Sequence, residues 1–254
     1  MKQLPPEYIN RMKQLLGSEY ADYEHALTEP CVKGFRVNTD KISLEDFEKI
    51  NPFGSEKIPY VENGYYLTAQ RAGNHPFHHA GMIYIQEPAA MAPAECVEIK
   101  PDSKILDMCA APGGKSTQLK NKLNRGGLLV SNEIVPSRLK ILGGNIERLG
   151  LKNCVTTCMD TSRLADVFGN IFDVVMVDAP CSGESMFRKD DTAVEEWSVE
   201  NVQKCAERQA EILENAAVLE NLNIESFLKE LQMAVNKTDV NSPEYNSMKQ
   251  IVES

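Results

Sequence analysis

Lys104-Ile-Leu-Asp-Met-Cys-Ala-Ala-Pro-Gly-Gly-Lys-Ser-Thr117 is a short apolar run that ends near a carboxylate and passes into a loop of small residues. Such a run reads as a buried strand, and the loop as the tight turn that feeds a helix starting near Lys115. Working outward, the same alternation repeats. A second apolar run covers residues 127–133, and a helical pattern over 136–149 is stopped by Gly150. Residues 153–160 and 172–178 read as a third and a fourth strand. Regular strand–helix alternation means parallel strands joined by right-handed crossovers. The expected fold is therefore α/β, a Rossmann-like, doubly wound, mostly parallel sheet over residues 76–219. Residues 1–75, with a helical piece from Tyr8, an extended piece at Phe35 and a capping box at Ser43, predict a small N-terminal α+β domain. A second capping box is read at Thr192. Residues 198–219 form one long amphipathic helix, and residues 220–254 read as a helical tail.

The totals narrow the classes. The chain has 254 residues, 42% of them hydrophobic, and carries a net charge of −10. That length supports one good core with an appendage. The acidity argues mildly against a free-standing nucleic-acid binder, so any RNA contact must rest on local basic clusters, or on a partner or module outside this sequence. No run approaches the ~20 continuous apolar residues that span a bilayer, and the first residues lack the apolar core of a signal peptide. Seven cysteines without a repeating framework read as reduced thiols, which predicts a cytoplasmic protein. No metal site is expected. Cys154 and Cys158, four apart on a strand, would stand ~13 Å apart along it.

The chemistry gathers at the strand ends. The loop after the first strand lets a ligand approach the backbone, and the helix N-terminus behind it attracts negative charge. Gly114-Lys115-Ser116 is like the end of a phosphate-binding P-loop, but that motif needs a glycine where Cys109 stands, and Pro112 removes an amide from the cradle. A P-loop hydrolase is thus the distant alternative. Glu133 closes the second strand, where a Rossmann-like site places a carboxylate against ribose hydroxyls. Asp160 closes the third and Asp178 the fourth. A glycine loop and three carboxylates at one sheet edge suit a cationic, adenosine-bearing ligand better than a polyphosphate. Beyond Asp178, Pro180 holds the chain extended and Ser182-Gly183 turns it, so Cys181 projects.

At these residues the chain resembles the Nol/Nop/Sun family of RNA cytosine-5 methyltransferases, and within it the bacterial RsmF-like ribosomal RNA enzymes. The resemblance is carried by His79-Ala-Gly-Met-Ile-Tyr-Ile-Gln-Glu-Pro88, Cys109-Ala-Ala-Pro-Gly-Gly-Lys115, Asn132-Glu-Ile-Val-Pro-Ser-Arg138, Asp178-Ala-Pro-Cys-Ser-Gly-Glu184 and Met186-Phe-Arg-Lys-Asp190, in family order. It implies S-adenosyl-L-methionine held by Cys109, Ala110, Ala111, Pro112, Gly113, Gly114 and Lys115. It places Glu133 on the ribose, Asp160 near the adenine and Asp178 near the methionine end. Arg138 and the Arg188-Lys189 pair are candidates for RNA phosphate.

In this family a thiolate adds to carbon 6 of cytosine and makes carbon 5 nucleophilic toward the methyl group. The resemblance assigns that attack to a Thr-Cys cysteine after a fifth strand, and product release to the Pro-Cys cysteine, here Cys181. No Thr-Cys pair follows Cys181 in this sequence. Three readings follow from that. One is an RNA cytosine-5 methyltransferase acting on small-subunit ribosomal RNA, with a complementing C-terminal chain as a partner or with Cys181 itself as the nucleophile. Another is a truncated relative that binds cofactor or RNA without turnover. The third is the P-loop hydrolase.

Overall fold

A computed structural model describes residues 4–68, 72–123 and 126–220. The strand–helix alternation is present as expected. Strands β4 (Lys104–Asp107), β5 (Leu128–Asn132), β6 (Cys154–Thr157) and β7 (Val174–Met176) form one parallel sheet in the order β6-β5-β4-β7. The chain moves outward from β4 through β5 to β6, then returns to the other side of β4. The strand order therefore reverses between β4 and β7, which is where open α/β sheets bind ligands. The helices of this unit are α6 (Gly114–Lys122), α7 (Pro136–Leu149), α8 (Thr161–Phe168) and α10 (Val199–Leu219).

Period-2 alternation puts apolar side chains on both faces of the sheet. On β4, Ile105 packs with Leu119 of α6 and with Leu129. Its neighbour Leu106 packs on the opposite face with Leu164 of α8 and with Ile212, Ala216 and Leu219 of α10. Helices on both faces make the doubly wound architecture.

The strands are shorter than the apolar runs, and β7 most of all. Among the described residues the expected strand over 172–178 pairs only at Val174–Met176, where its neighbour β4 ends at Asp107 and turns into the loop. Just before β7, on the side away from β4, an isolated parallel bridge joins Phe172 to Glu220, and the Phe172 N–H donates to Leu219 O at 3.3 Å. Glu220 is thus extended where a helical tail was expected to begin. The predicted helices over the rest of that tail lie outside the described residues.

A second, antiparallel sheet has the order β2-β1-β3, from β1 (Gly34–Val37), β2 (Gly64–Tyr66) and β3 (Ile83–Gln86). Its third strand lies beyond the boundary expected at residue 75, so the N-terminal sheet continues to Gln86. Phe35, Phe47, Tyr65 and Ile83 form its core. Helices α1 (Pro6–Leu16), α2 (Tyr20–Thr28), α3 (Leu44–Ile50), α4 (Pro76–His79) and α5 (Pro88–Glu95) belong to residues 4–95. Gly17 closes α1, and the Ser43 hydroxyl accepts from the Asp46 N–H to start α3, as the sequence predicts. The cap read at Thr192 is corrected. Helix α9 (Asp191–Glu196) starts on Asp190, whose carboxylate accepts from the Thr192 N–H at 2.9 Å. Asp190 has the extended backbone that an N-cap requires, while Thr192 already lies inside the helix.

Candidate functional site

The carboxyl ends of β4, β5 and β6 are stitched together by one buried side chain. Asn132 donates to Met108 O (3.2 Å) and Met159 O (2.9 Å), and accepts from the Thr157 hydroxyl (2.8 Å) and the Met159 N–H (3.0 Å). With all four groups of its amide bonded, the three strand ends keep one relative height. Above this edge lies a cavity of about 460 Å³, lined among others by Cys109, Asn132, Glu133, Arg138, Asp160 and Ile212. That size is ordinary for a small-molecule site.

Glu133 is 2% exposed. Its N–H donates to Thr157 O at 3.0 Å, one carboxylate oxygen accepts from the Val135 N–H at 2.9 Å, and the other lies 3.4 Å from the Arg138 guanidinium. Arg138 also donates to Ala111 O at 2.8 Å, so the same cation holds the glycine loop. Asp160 caps α8 by accepting from the Arg163 N–H. A hydrogen bond from the Ser162 hydroxyl, with that N–H, holds its carboxyl below the ordinary aspartate value. It stays ionised at the mouth of the cavity.

A smaller cavity of about 280 Å³ lies beside the switch point. Asp107, Cys109, Ala110, Ala111, Pro112, Gly114, Lys115 and Asp178 line it, together with Tyr84 and Gln86 from β3. Cys109 therefore faces both cavities. Burial, reinforced by Asp107, Glu133 and Asp178, pushes its thiol up to about 11. It is a neutral thiol at physiological pH and packs rather than attacks. Lys115 donates to Asp178 at 2.6 Å. Gly113 does not line either cavity. It takes a left-handed φ of +106°, and a Cβ there would stand 3.0 Å from Leu142, so the turn into α6 needs glycine.

The structure thus divides the predicted residues. Glu133 and Asp160 share the larger cavity, while Lys115 and Asp178 sit in the smaller one. Cys181 lines neither, although Pro180 beside it lines the larger. Its side chain is exposed, as the proline and the turn predict. Its loop is pinned at Pro180 O, which accepts from Gln209 at 3.0 Å, and at Glu184, which accepts from Ser182 and from the Trp197 indole.

Sequence reading missed Asp107 as a site residue, though a carboxylate closing a strand is the same signal that marked Glu133. Asp107 is 1% exposed. One of its oxygens accepts from the Ser116 hydroxyl at 2.6 Å, and the other, buried, has no hydrogen-bond partner among the described residues. Burial, opposed by the Ser116 hydroxyl, pushes this carboxyl up to about 6. A raised aspartate binds its proton in the folded state before the unfolded state does, so its ionisation destabilises the fold as pH rises from about 4 through 6. Asp107→Asn should therefore gain stability relative to the parent between pH 4 and pH 7 in urea unfolding. A gap that stays constant, or moves the other way, contradicts that environment.

Known structures place this arrangement in a class. A methyltransferase homolog from Pyrococcus horikoshii matches over 83% of this chain and 68% of its own, with 28% identity and a TM-score of 0.71. NSun6 from Pyrococcus horikoshii, solved with SFG, has the same fold at 21% identity and a TM-score of 0.72, over 84% of this chain and 79% of its own. The fold is that of the Rossmann-like class I methyltransferases. Family profiles go further. The N-terminal domain of 16S rRNA methyltransferase RsmF matches residues 4–88, and 16S rRNA methyltransferase RsmB/F matches residues 94–240. The chain belongs to the RsmB/F family. Curated relatives named ribosomal RNA small subunit methyltransferase F agree, at 38% identity over 227 residues in Vibrio cholerae and 35% over 226 residues in Aeromonas salmonicida. Each match takes in 84% of this chain but 47% and 48% of the relative, so the chain spans about half the length of those proteins.

Proposed function

We propose that this chain binds S-adenosylmethionine and serves methyl transfer to carbon 5 of cytosine in small-subunit ribosomal RNA, in the cytoplasm. The observation that carries the reading is the larger cavity. It joins the buried Glu133 carboxylate, the ionised Asp160 and the loop residue Cys109 at the end of a parallel sheet. In this reading Glu133 accepts from the ribose hydroxyls and Asp160 from the adenine side. The loop from Cys109 to Lys115, with Asp178 and Asp107, receives the methionine end. The donor set fits. A buried carboxylate oxygen without a partner at Asp107 suits a ligand that is cationic and donates hydrogen bonds. When bound, S-adenosylmethionine supplies an electrophilic methyl group. Among the described residues no helix is long and apolar enough to cross a membrane.

The cysteines are the second part of this reading. No Thr-Cys pair follows Cys181, and Cys181 stands outside both cavities. We therefore assign Cys181 to product release, with the attacking thiolate to come from a complementing polypeptide that carries a Thr-Cys pair. The chain alone should transfer tritiated methyl groups to small-subunit ribosomal RNA only at background level. Robust transfer by this chain, lost on Cys181→Ala, would instead make Cys181 the nucleophile.

A further inference from the structure

Arg36 is fully buried on β1, and its hydrogen-bond partners among the described residues are neutral. Its Nε donates to Gln86 Oε1 at 2.9 Å. Its Nη2 donates to Gly114 O at 2.7 Å and to Thr117 Oγ1 at 2.8 Å. The guanidinium carbon lies 5.3 Å from the centre of the Tyr84 ring. Burying a cation without a carboxylate beside it opposes folding, and an apolar side chain would join the two units with less opposition. Burial lowers its proton affinity to about 10, still well above neutral, so the charge remains. A retained buried charge points to a geometric task.

The fork of Arg36 ends on the first turn of α6. Gly114 O also accepts from the Thr117 hydroxyl at 3.2 Å, so the guanidinium and that hydroxyl converge on one carbonyl. The Gly114–Lys115 peptide is planar, and fixing its carbonyl fixes the Lys115 N–H that points the opposite way. Gln86, the other partner, donates to Ala90 O at 2.9 Å and crowds the loop from above. A Cβ on Gly114 would stand 3.1 Å from Gln86 Nε2. Gln86, Tyr84, Gly114 and Lys115 line the same small cavity.

We infer that Arg36 is a positioning residue for the cofactor loop, so that the N-terminal sheet forms part of the S-adenosylmethionine site. This rests on the cofactor reading above. Arg36 does not reach the cavity itself and acts through Gly114, Thr117 and Gln86. A lysine keeps the charge but cannot reproduce the planar fork.

Asn38 supplies the control. It is equally buried, next to β1, donates at 2.9 Å to both Gly81 O and Leu149 O, and accepts from Asn121 in the last turn of α6 at 3.1 Å, so it joins the same two units away from the first turn of that helix. S-adenosylmethionine affinity is measured by calorimetry on the full chain well below its melting temperature, with Tm recorded in parallel. Arg36→Lys should bind at least about tenfold more weakly, the loss one charge-assisted hydrogen bond carries. Asn38→Ala should lower Tm and leave affinity within about twofold. Thr117→Val, which removes one acceptor from the loop side and keeps Arg36, should fall between them. Arg36→Lys and Thr117→Val that bind like the parent while Tm drops would overturn the inference and leave the cofactor reading intact. A parent chain that does not bind S-adenosylmethionine would overturn both.

Discussion

Glu133→Gln is expected to weaken S-adenosylmethionine binding by about a hundredfold, which corresponds to about 2.7 kcal/mol. Glu133 is 2% exposed; its backbone N–H donates to the Thr157 carbonyl, and its carboxylate is held from two sides, by the Val135 N–H and by Arg138. Its remaining lone pairs face the larger cavity, where a vicinal diol would donate two hydrogen bonds. Hydrogen bonds to a charged acceptor contribute about 1.5–3 kcal/mol each. Glutamine retains one neutral acceptor and turns the other position into a donor that opposes a hydroxyl hydrogen. The shape and the Val135 contact survive while the Arg138 ion pair is lost, so Tm should fall and the chain should stay folded. A 2′-deoxyadenosyl analogue separates the ribose contact from a general electrostatic effect. It should bind the parent poorly, and the variant nearly as well as the complete cofactor does. Parent-like affinity in the variant would remove Glu133 from the ribose.

Phe172→Ala should destabilise the fold by about 3–5 kcal/mol, a large part of the about 5–15 kcal/mol that a domain has. Phe172 is fully buried and packs with Leu106, Val130, Leu164, Ile212 and Leu219, its ring 5.4 Å from that of Phe168. Its backbone also ties the end of α10 to the outer side of the sheet. Truncation leaves a cavity between sheet and helices, and β7, which among the described residues has one full neighbour, has little with which to close it. Urea unfolding at neutral pH measures the loss. A value under about 1 kcal/mol would mean that the strand carrying Asp178 is not anchored there.

The class of fold was legible because the evidence for it is local and periodic. Apolar runs, a glycine turn and helix caps each lie within a few residues, and four repeats leave few topologies. The larger cavity was legible for a related reason. In a parallel sheet every strand's carboxyl end comes to one edge, so Glu133 and Asp160 had to meet. The boundaries of β7 were not legible, because its length is set by where β4 turns away and not by its own apolar run. The cap at Thr192 was misplaced because Asp190, two residues earlier, already starts the helix by accepting from the Thr192 N–H. Arg36, Tyr84 and Gln86 reach the loop only through tertiary packing between two sheets, and no local pattern announces that. Asp107 carried the strand-end signal in plain view, and its unpartnered buried oxygen is visible only in three dimensions.

The central claim is that the edge between the glycine loop, Glu133 and Asp160 takes a cationic adenosyl ligand. Calorimetric titration of this chain with S-adenosylmethionine and, separately, with ATP and magnesium tests it directly. Saturable one-to-one binding of S-adenosylmethionine with no response to ATP is the predicted result. Tight ATP binding with no response to S-adenosylmethionine would contradict the account.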